Sequence, residues 1–436
     1  MNHLVGVWDA LHSPKLDKSR SDRWYRYYAG FAPEFVRDVI DEIKPDLDDG
    51  VLDPWVGSGT TLSVAASLGY RASGLDLNPA MVVVAKGRLI ADDTRSSVQT
   101  LRDEILRQWR PVTGSAVSDD PLSHWFDFGG CGLIRGLAQR IDEVLVLDHL
   151  TPDGRVQSMS SLAAFFYVAL FDSVTSLLKD YRSSNPTWVK GQKIGSGDVV
   201  IERPTLESNF KAAVDRLAMY VKKAGALSAS TRDLIDIRAG NSRRLPFEAS
   251  SFGTLISSPP YLTRLDYVVG HRVELAVLGF GDSDIRSLRQ QMIGTPTIGG
   301  VISKQPLGNA ANEFLAAVSS HDSYAAAEYY APNFRQYFEG MADSLAEANR
   351  VTRPGGNIVL VVQDSRFKGI HADLAQCIAD MSTQFGWVLT NRSDFTSIRS
   401  MAQVNSRAHK DARTLRPIES VLHFVSAAPS NIPATE

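Results

Sequence analysis

The sequence predicts a doubly wound α/β sheet, on three observations. A short apolar run, Val51-Leu52-Asp53, leads through a glycine turn into a helix opening at Thr60. A second run, from Arg71 to Leu77, carries an acid near its end and is followed by Asn78-Pro79, a helix-start pair. A third, from Ser251 to Ser257, is cut off by Pro259 and Pro260, which cannot donate to a sheet ladder. Apolar strands alternating with helical patterns are the pattern of a sheet built by crossover connections.

The elements follow in order. The helix after the first strand runs through TTLSVAASLG. A long stretch from about 95 to 234 then separates the second strand from the third and reads as mostly helical, with SLAAFFYVALFDSVTSLLKDYR and NFKAAVDRLAMYVKKAGAL as its clearest helices. IDIRAGNSRRLPFE reads as a third strand and a loop, just ahead of the proline-terminated strand. FRQYFEGMADSLAEANRV reads as a helix ending in a turn at Arg353-Pro354-Gly355-Gly356, and NIVLVVQDS as the next strand. A helix from about Asp373 to Phe385 precedes GWVLTNRSDF and SVLHFVS, a final hairpin. That makes about seven strands. The expected organisation is one sheet domain from 1–94 and 235–436, with residues 95–234 as a mainly helical insertion.

Composition narrows the function classes. The 436 residues are 44% hydrophobic and 22% charged, ordinary values for a globular protein. A net charge of −3 gives no global attraction to polyanions, so nucleic-acid binding requires a local basic surface. The first twenty residues lack the basic and apolar regions of a signal peptide, and no apolar run reaches membrane-spanning length. The expectation is a cytoplasmic protein without a membrane partner. Two cysteines, Cys131 and Cys377, do not suffice for a metal cluster or a disulfide framework, and no metal is expected.

Two stretches carry the chemistry. In VLDPWVGSGTT, Gly57 and Gly59 allow close backbone approach to a ligand, and the helix start at Thr60 and Thr61 offers free N–H groups. Asp76, at the tip of the second strand, is placed to accept hydrogen bonds from ribose hydroxyls. The turn is not the dinucleotide fingerprint, whose third glycine would fall at Leu62, and it lacks a Walker A lysine. In SSPPYLTRLDY, two prolines make a stiff loop at a strand's carboxyl edge, where open sheets bind ligands. Ser258 and Tyr261 flank the prolines with a hydroxyl and an aromatic ring.

Together, DPWVGSGTT, GLDLNP and SSPPY resemble the amino-methyltransferase family of DNA-modifying enzymes. Its first motif is D-P-F-x-G-S-G-T-T, with Trp55 here at the aromatic position, and its catalytic motif is [S/N/D]-P-P-[Y/F/W], matched by Ser258, Pro259, Pro260 and Tyr261. The resemblance implies a Rossmann-like seven-stranded methyltransferase sheet. It also implies S-adenosylmethionine as cofactor and methyl transfer to an exocyclic amine of DNA, at cytosine N4 or adenine N6. It extends the cofactor site to Asp53, Pro54, Asn78, Asn241 and Ser242, although an acid is common where Asn241 stands. WYRYYAGFAPEFVRDVI resembles the segment that closes over the methionine end, which adds Tyr28 and Phe31.

An exocyclic amine is a weak nucleophile because its lone pair is delocalised into the ring. A rigid loop holding the Ser258 hydroxyl and the Pro259 carbonyl as acceptors favours a more pyramidal nitrogen, and Tyr261 is expected to stack on a flipped base. Serine at the first motif position is commoner among the family's N4-cytosine enzymes, so N4 is the expected target and N6-adenine the alternative. Arg182, Trp188 and Lys190 interleave cations with an aromatic in YRSSNPTWVKGQK, a pattern suited to nucleic acid, and Arg264 follows the catalytic motif. DNA is the expected partner, and a cognate nuclease a further one. Cytosine-C5 chemistry is disfavoured because neither cysteine lies beside the motif loop. An RNA amine methyltransferase and a non-catalytic nucleic-acid-binding relative remain as alternatives. A nicotinamide enzyme leaves SPPY without a role.

Overall fold

The computed structural model describes residues 8, 11–14, 24–25, 30, 32–91, 94, 96–114, 120–146, 151–181, 189, 199–224, 227–262, 266–295, 303–396 and 418–427. Helix α1 (Pro33–Ile43) leads into β1 (Val51–Asp53), α2 (Thr60–Ser67), β2 (Ala72–Asp76) and α3 (Pro79–Gly87). Strands β3 (Ile235–Ala239), β4 (Phe252–Ser257) and β5 (Thr352–Gln363) follow. A small hairpin of β6 (Ser365–Phe367) and β7 (Ile370–Ala372) comes before β8 (Trp387–Thr396) and β9 (Ile418–Ser426).

The main sheet has seven strands in the order β3-β2-β1-β4-β5-β9-β8. The first five pair in parallel, while β9 runs antiparallel to both β5 and β8. Its two faces can be read from the alternation along β5. Val359 and Val361 join the core that holds α1, α2 and α3, whereas Ile358, Leu360 and Val362 join the core under helices Asn309–Ser319, Ala331–Val351 and Leu374–Thr383. Both faces are therefore covered, as the near-continuous apolar strands require.

The expected strands and helices of the sheet are all present. One local expectation changes. Arg353–Gly356 is a bulge rather than a turn: the helix ends at Val351, and β5 begins directly at Thr352. Phe252 pairs with Thr352 but Thr254 with Asn357, and Gly355, at φ +77°, takes up the excess chain in a conformation few other residues tolerate.

Residues 95–234 contribute five long or medium helices, including Ser161–Leu177 and Arg203–Ala224, and they are not set apart from the sheet. Phe165, Phe166 and Tyr167 are fully buried in the same core as Val82, Val83 and Val84 of α3. Lys86 donates to the carbonyls of Val156 and Gln157, and the Gln157 side chain donates to the Ala239 carbonyl at the end of β3. No helix among the described residues is long and apolar enough to cross a membrane.

Candidate active site

The carboxyl edges of β1, β2 and β4 meet at an open cleft. It is lined on one side by Pro54, Trp55, Asp76, Leu77, Asn78 and Met81, and on another by Ser258, Pro259 and Pro260; Asn241 and Ser242 also contribute. Two stretches some two hundred residues apart in the chain thus share one cavity.

The turn after β1 is built to hold Asp76. Gly57, at φ +52°, points its N–H at Asp76 Oδ2 (2.9 Å), and the Asn78 N–H donates to Oδ1 (2.8 Å). Each oxygen keeps a lone pair for a ligand hydroxyl. Burial raises the Asp76 pKa, and the two amides pull it back toward the ordinary range. Asn78 caps α3 by accepting from the Ala80 N–H and donates to the Tyr267 carbonyl, tying β2 to the chain beyond the SPPY loop.

Behind the turn, Asp53 is almost completely buried. It accepts from the Ser257 hydroxyl and the Trp55 N–H, so β4 and the glycine turn are fixed to one carboxylate. Burial pushes its pKa up to about 6, and the hydrogen bonds only partly offset the desolvation.

The SPPY loop is held from both ends. The Ser258 hydroxyl lies 3.1 Å from the Val361 carbonyl, to which it donates, and 3.3 Å from the Tyr261 oxygen. With its single proton used, that oxygen is left to accept. Tyr261 donates to Glu419 of β9 (3.2 Å), and Tyr337 donates to the Pro260 carbonyl (2.7 Å). Among the described residues no donor reaches the Pro259 carbonyl.

A family model described as DNA methylase, for the N6/N4 enzymes, matches residues 2–87. The type II methyltransferase M.BsoBI of Geobacillus stearothermophilus is 25% identical over 306 residues, 65% of this chain and 58% of that one. M.AvaI of Nostoc sp., another type II methyltransferase, is 21% identical over 407 residues, 84% of this chain and 78% of that one. These similarities support the N4/N6 DNA amino-methyltransferase family for this chain. Among solved structures, a geranyl diphosphate methyltransferase bound to sinefungin covers 91% of this chain and 78% of its own, at 8% identity and a TM-score of 0.34.

The cleft gathers eight of the residues named from sequence: Pro54, Asp76, Asn78, Asn241, Ser242, Ser258, Pro259 and Pro260. Others stand behind it. Thr60 and Thr61 are buried in the first turn of α2, where Arg88 donates to Thr60 Oγ1 (2.9 Å), and a Cβ on Gly59 would meet the Ala85 side chain at 3.1 Å. Asp53 and Tyr261 also lie outside the lining, and Tyr261 is only 7% exposed, so its ring face is covered here. Tyr28, Phe31, Arg182, Trp188, Lys190 and Arg264 lie outside the described residues.

The cleft has a further wall that the motifs do not announce. Tyr267, Val268, Gln291, Met292 and Ile293 close it. Arg289 is ion-paired to the buried Asp266 (2.7 Å), which also caps the short helix Tyr267–Gly270. This pair brings the end of helix Asp282–Gln291 against the lining residues of that helix. Met292-Ile293, an apolar pair after the mostly polar stretch Arg286–Gln291, marks a buried segment in the sequence but not the surface it meets. Cys131 and Cys377 are both buried, and burial pushes the Cys377 thiol up to about 12, far from a thiolate nucleophile.

Proposed function

We propose that this protein is a DNA methyltransferase that uses S-adenosylmethionine to methylate an exocyclic base amine, with cytosine N4 as the target. The observation that carries the reading is the shared cleft: the SPPY loop and the Asp76 turn line one cavity. The cavity's chemistry suits the cofactor. Asp76 retains two acceptor lone pairs for ribose hydroxyls, Leu77 and Met81 give apolar surface, and Asn241 and Ser242 supply polar atoms for the adenine. When bound, the cofactor supplies an electrophilic sulfonium methyl.

The chain's own residues do the rest. The Ser258 oxygen and the Pro259 carbonyl accept the two amine hydrogens, which favours a pyramidal nitrogen with its lone pair aimed at the methyl. The two prolines, Tyr337 and Val361 hold those acceptors before the base arrives, so little ordering is left for the reaction itself. Tyr261 stacks on the flipped base once its ring is uncovered, while its hydroxyl ties the loop to β9. The preference for cytosine rests on Ser258 at the first motif position, a residue commoner there in the family's N4-cytosine enzymes. A nuclease reading the same DNA site is the natural partner.

The test is nucleoside mass spectrometry of DNA, and of RNA in parallel, incubated with the protein and methyl-labelled cofactor. Label in N4-methylcytosine is the expected outcome. Label in N6-methyladenine alone would overturn the base assignment and leave the loop chemistry standing. Label in RNA only, or in neither nucleic acid with cofactor binding confirmed, would sink the DNA reading.

A further inference from the structure

We infer that the β6–β7 hairpin, together with the neighbouring segment around Tyr324, forms a DNA-docking ridge beside the catalytic loop; this rests on the DNA reading above. The hairpin is fastened to that loop, because the Ser365 hydroxyl donates to the carbonyl of Leu262, the residue after the SPPY motif (2.6 Å). Its side chains alternate. Phe367 points inward and packs against His321, Tyr330 and Phe334, while Arg366, Lys368 and His371 are exposed on the outside. His371 contacts Asp364 (2.9 Å), but Arg366 and Lys368 have no ion-pair partner among the described residues. Two free cations, held on a two-stranded ribbon next to the reacting loop, suit consecutive phosphates of one strand.

Backbone conformation marks the same place. Only four non-glycine residues among those described have positive φ, and two of them, Lys368 (+54°) and Ala325 (+61°), lie in these two segments. A left-handed lysine at a hairpin tip is disfavoured where asparagine or glycine would be relaxed, and such conformations concentrate at functional sites. Beside Ala325, Tyr324 is 97% exposed, the most exposed large hydrophobic side chain described. His321 and Tyr330, on either side of Tyr324, pack on Phe367 of the hairpin, so this exposed ring lies on the segment that covers the ribbon's inner face and suits stacking on a base as phosphates are gripped. Asp322 and Glu328 are exposed on the same segment, so the attraction is confined to the hairpin.

The experiment measures duplex DNA affinity of the full chain as a function of salt, with and without cofactor. Arg366→Ala combined with Lys368→Ala should flatten the log–log salt slope by about two units, roughly 0.9 per lost phosphate contact, while cofactor affinity is unchanged. Arg366→Lys with Lys368→Arg should restore the slope. Tyr324→Ala should weaken DNA about tenfold with the slope intact, as expected for lost stacking. If wild-type protein methylates DNA and the double-alanine variant keeps the full slope, the ridge is wrong and the DNA reading survives. If wild-type protein neither binds nor methylates DNA, the reading itself has failed. A Tyr324→Ala variant with wild-type affinity removes the aromatic contact from the proposal.

Discussion

At Asp76 a single carboxylate faces two tasks, holding the glycine turn through two backbone amides and offering its outer lone pairs to a ligand. Asp76→Ala should weaken S-adenosylmethionine binding by about 1–3 kcal/mol, read by calorimetry. Because burial raises its pKa, wild-type affinity should also fall on acidification, as the acceptor becomes protonated. Unaltered affinity in the variant would remove Asp76 from the site. Asp53 titrates to a different effect. Its pKa is raised from 3.8 to about 6 in the folded chain, so the folded state holds the proton that the unfolded state has released between those values. Its contribution to stability is thus greatest below about pH 4 and is lost as pH rises through 6. Asp53→Asn should therefore stabilise the protein at pH 7, by up to about 3 kcal/mol for a pKa rise of about two at 1.36 kcal/mol per unit. Urea unfolding at pH 4 and pH 7 tests this, and a variant whose stability tracks the wild type at both would refute it. Both residues were legible in the sequence. The division between them was not, because lining a cleft and standing behind it depend on which way a strand's last side chain faces.

Among the elements, α3 is the hinge between sheet and insertion. Gly87, at its end, lies so close to helix Ser161–Leu177 that a Cβ would meet the Ala164 and Phe165 backbone at 2.9 Å. Gly87→Ala should cost about 1–3 kcal/mol by forcing these helices apart, seen as a lower denaturant midpoint at constant m-value. A midpoint at or above the wild type would show that the contact relaxes freely. The glycine turn, the acid-tipped strand and the proline-ended strand could be read in advance because each carries its own local punctuation. The wall at Gln291–Ile293 could not, since it is set by an ion pair between residues 266 and 289 that neither segment reveals alone. The bulge at Gly355 was hidden for a similar reason: a glycine pair after a helix signals a turn, and only the partner strand's register makes it part of a strand.

For the whole molecule, seven strands with helices on both faces were expected, and the sheet order puts both motifs on one edge. The alternation of apolar residues determines which faces are covered, so that much follows from pattern alone. Across the expected boundary at residues 94 and 95, residues of both regions share one core. Phe165 and Phe166 complete the core over Val82 to Ala85, so the helical region is part of the sheet's own interior. Pattern reports where regular structure pauses, whereas a seam depends on which apolar faces end up together.

The strand order also has a consequence in time. Glu419, which holds Tyr261 from behind, sits in β9, and β9 is translated after every other strand of the sheet. Until it arrives, β8 has no ladder partner in the sheet, and β5 lacks its neighbour on that side. A nascent chain thus carries the glycine turn and the SPPY motif long before the loop is anchored. Ribosome-bound chains stopped before residue 418 would have the parts of the site and not its rigidity.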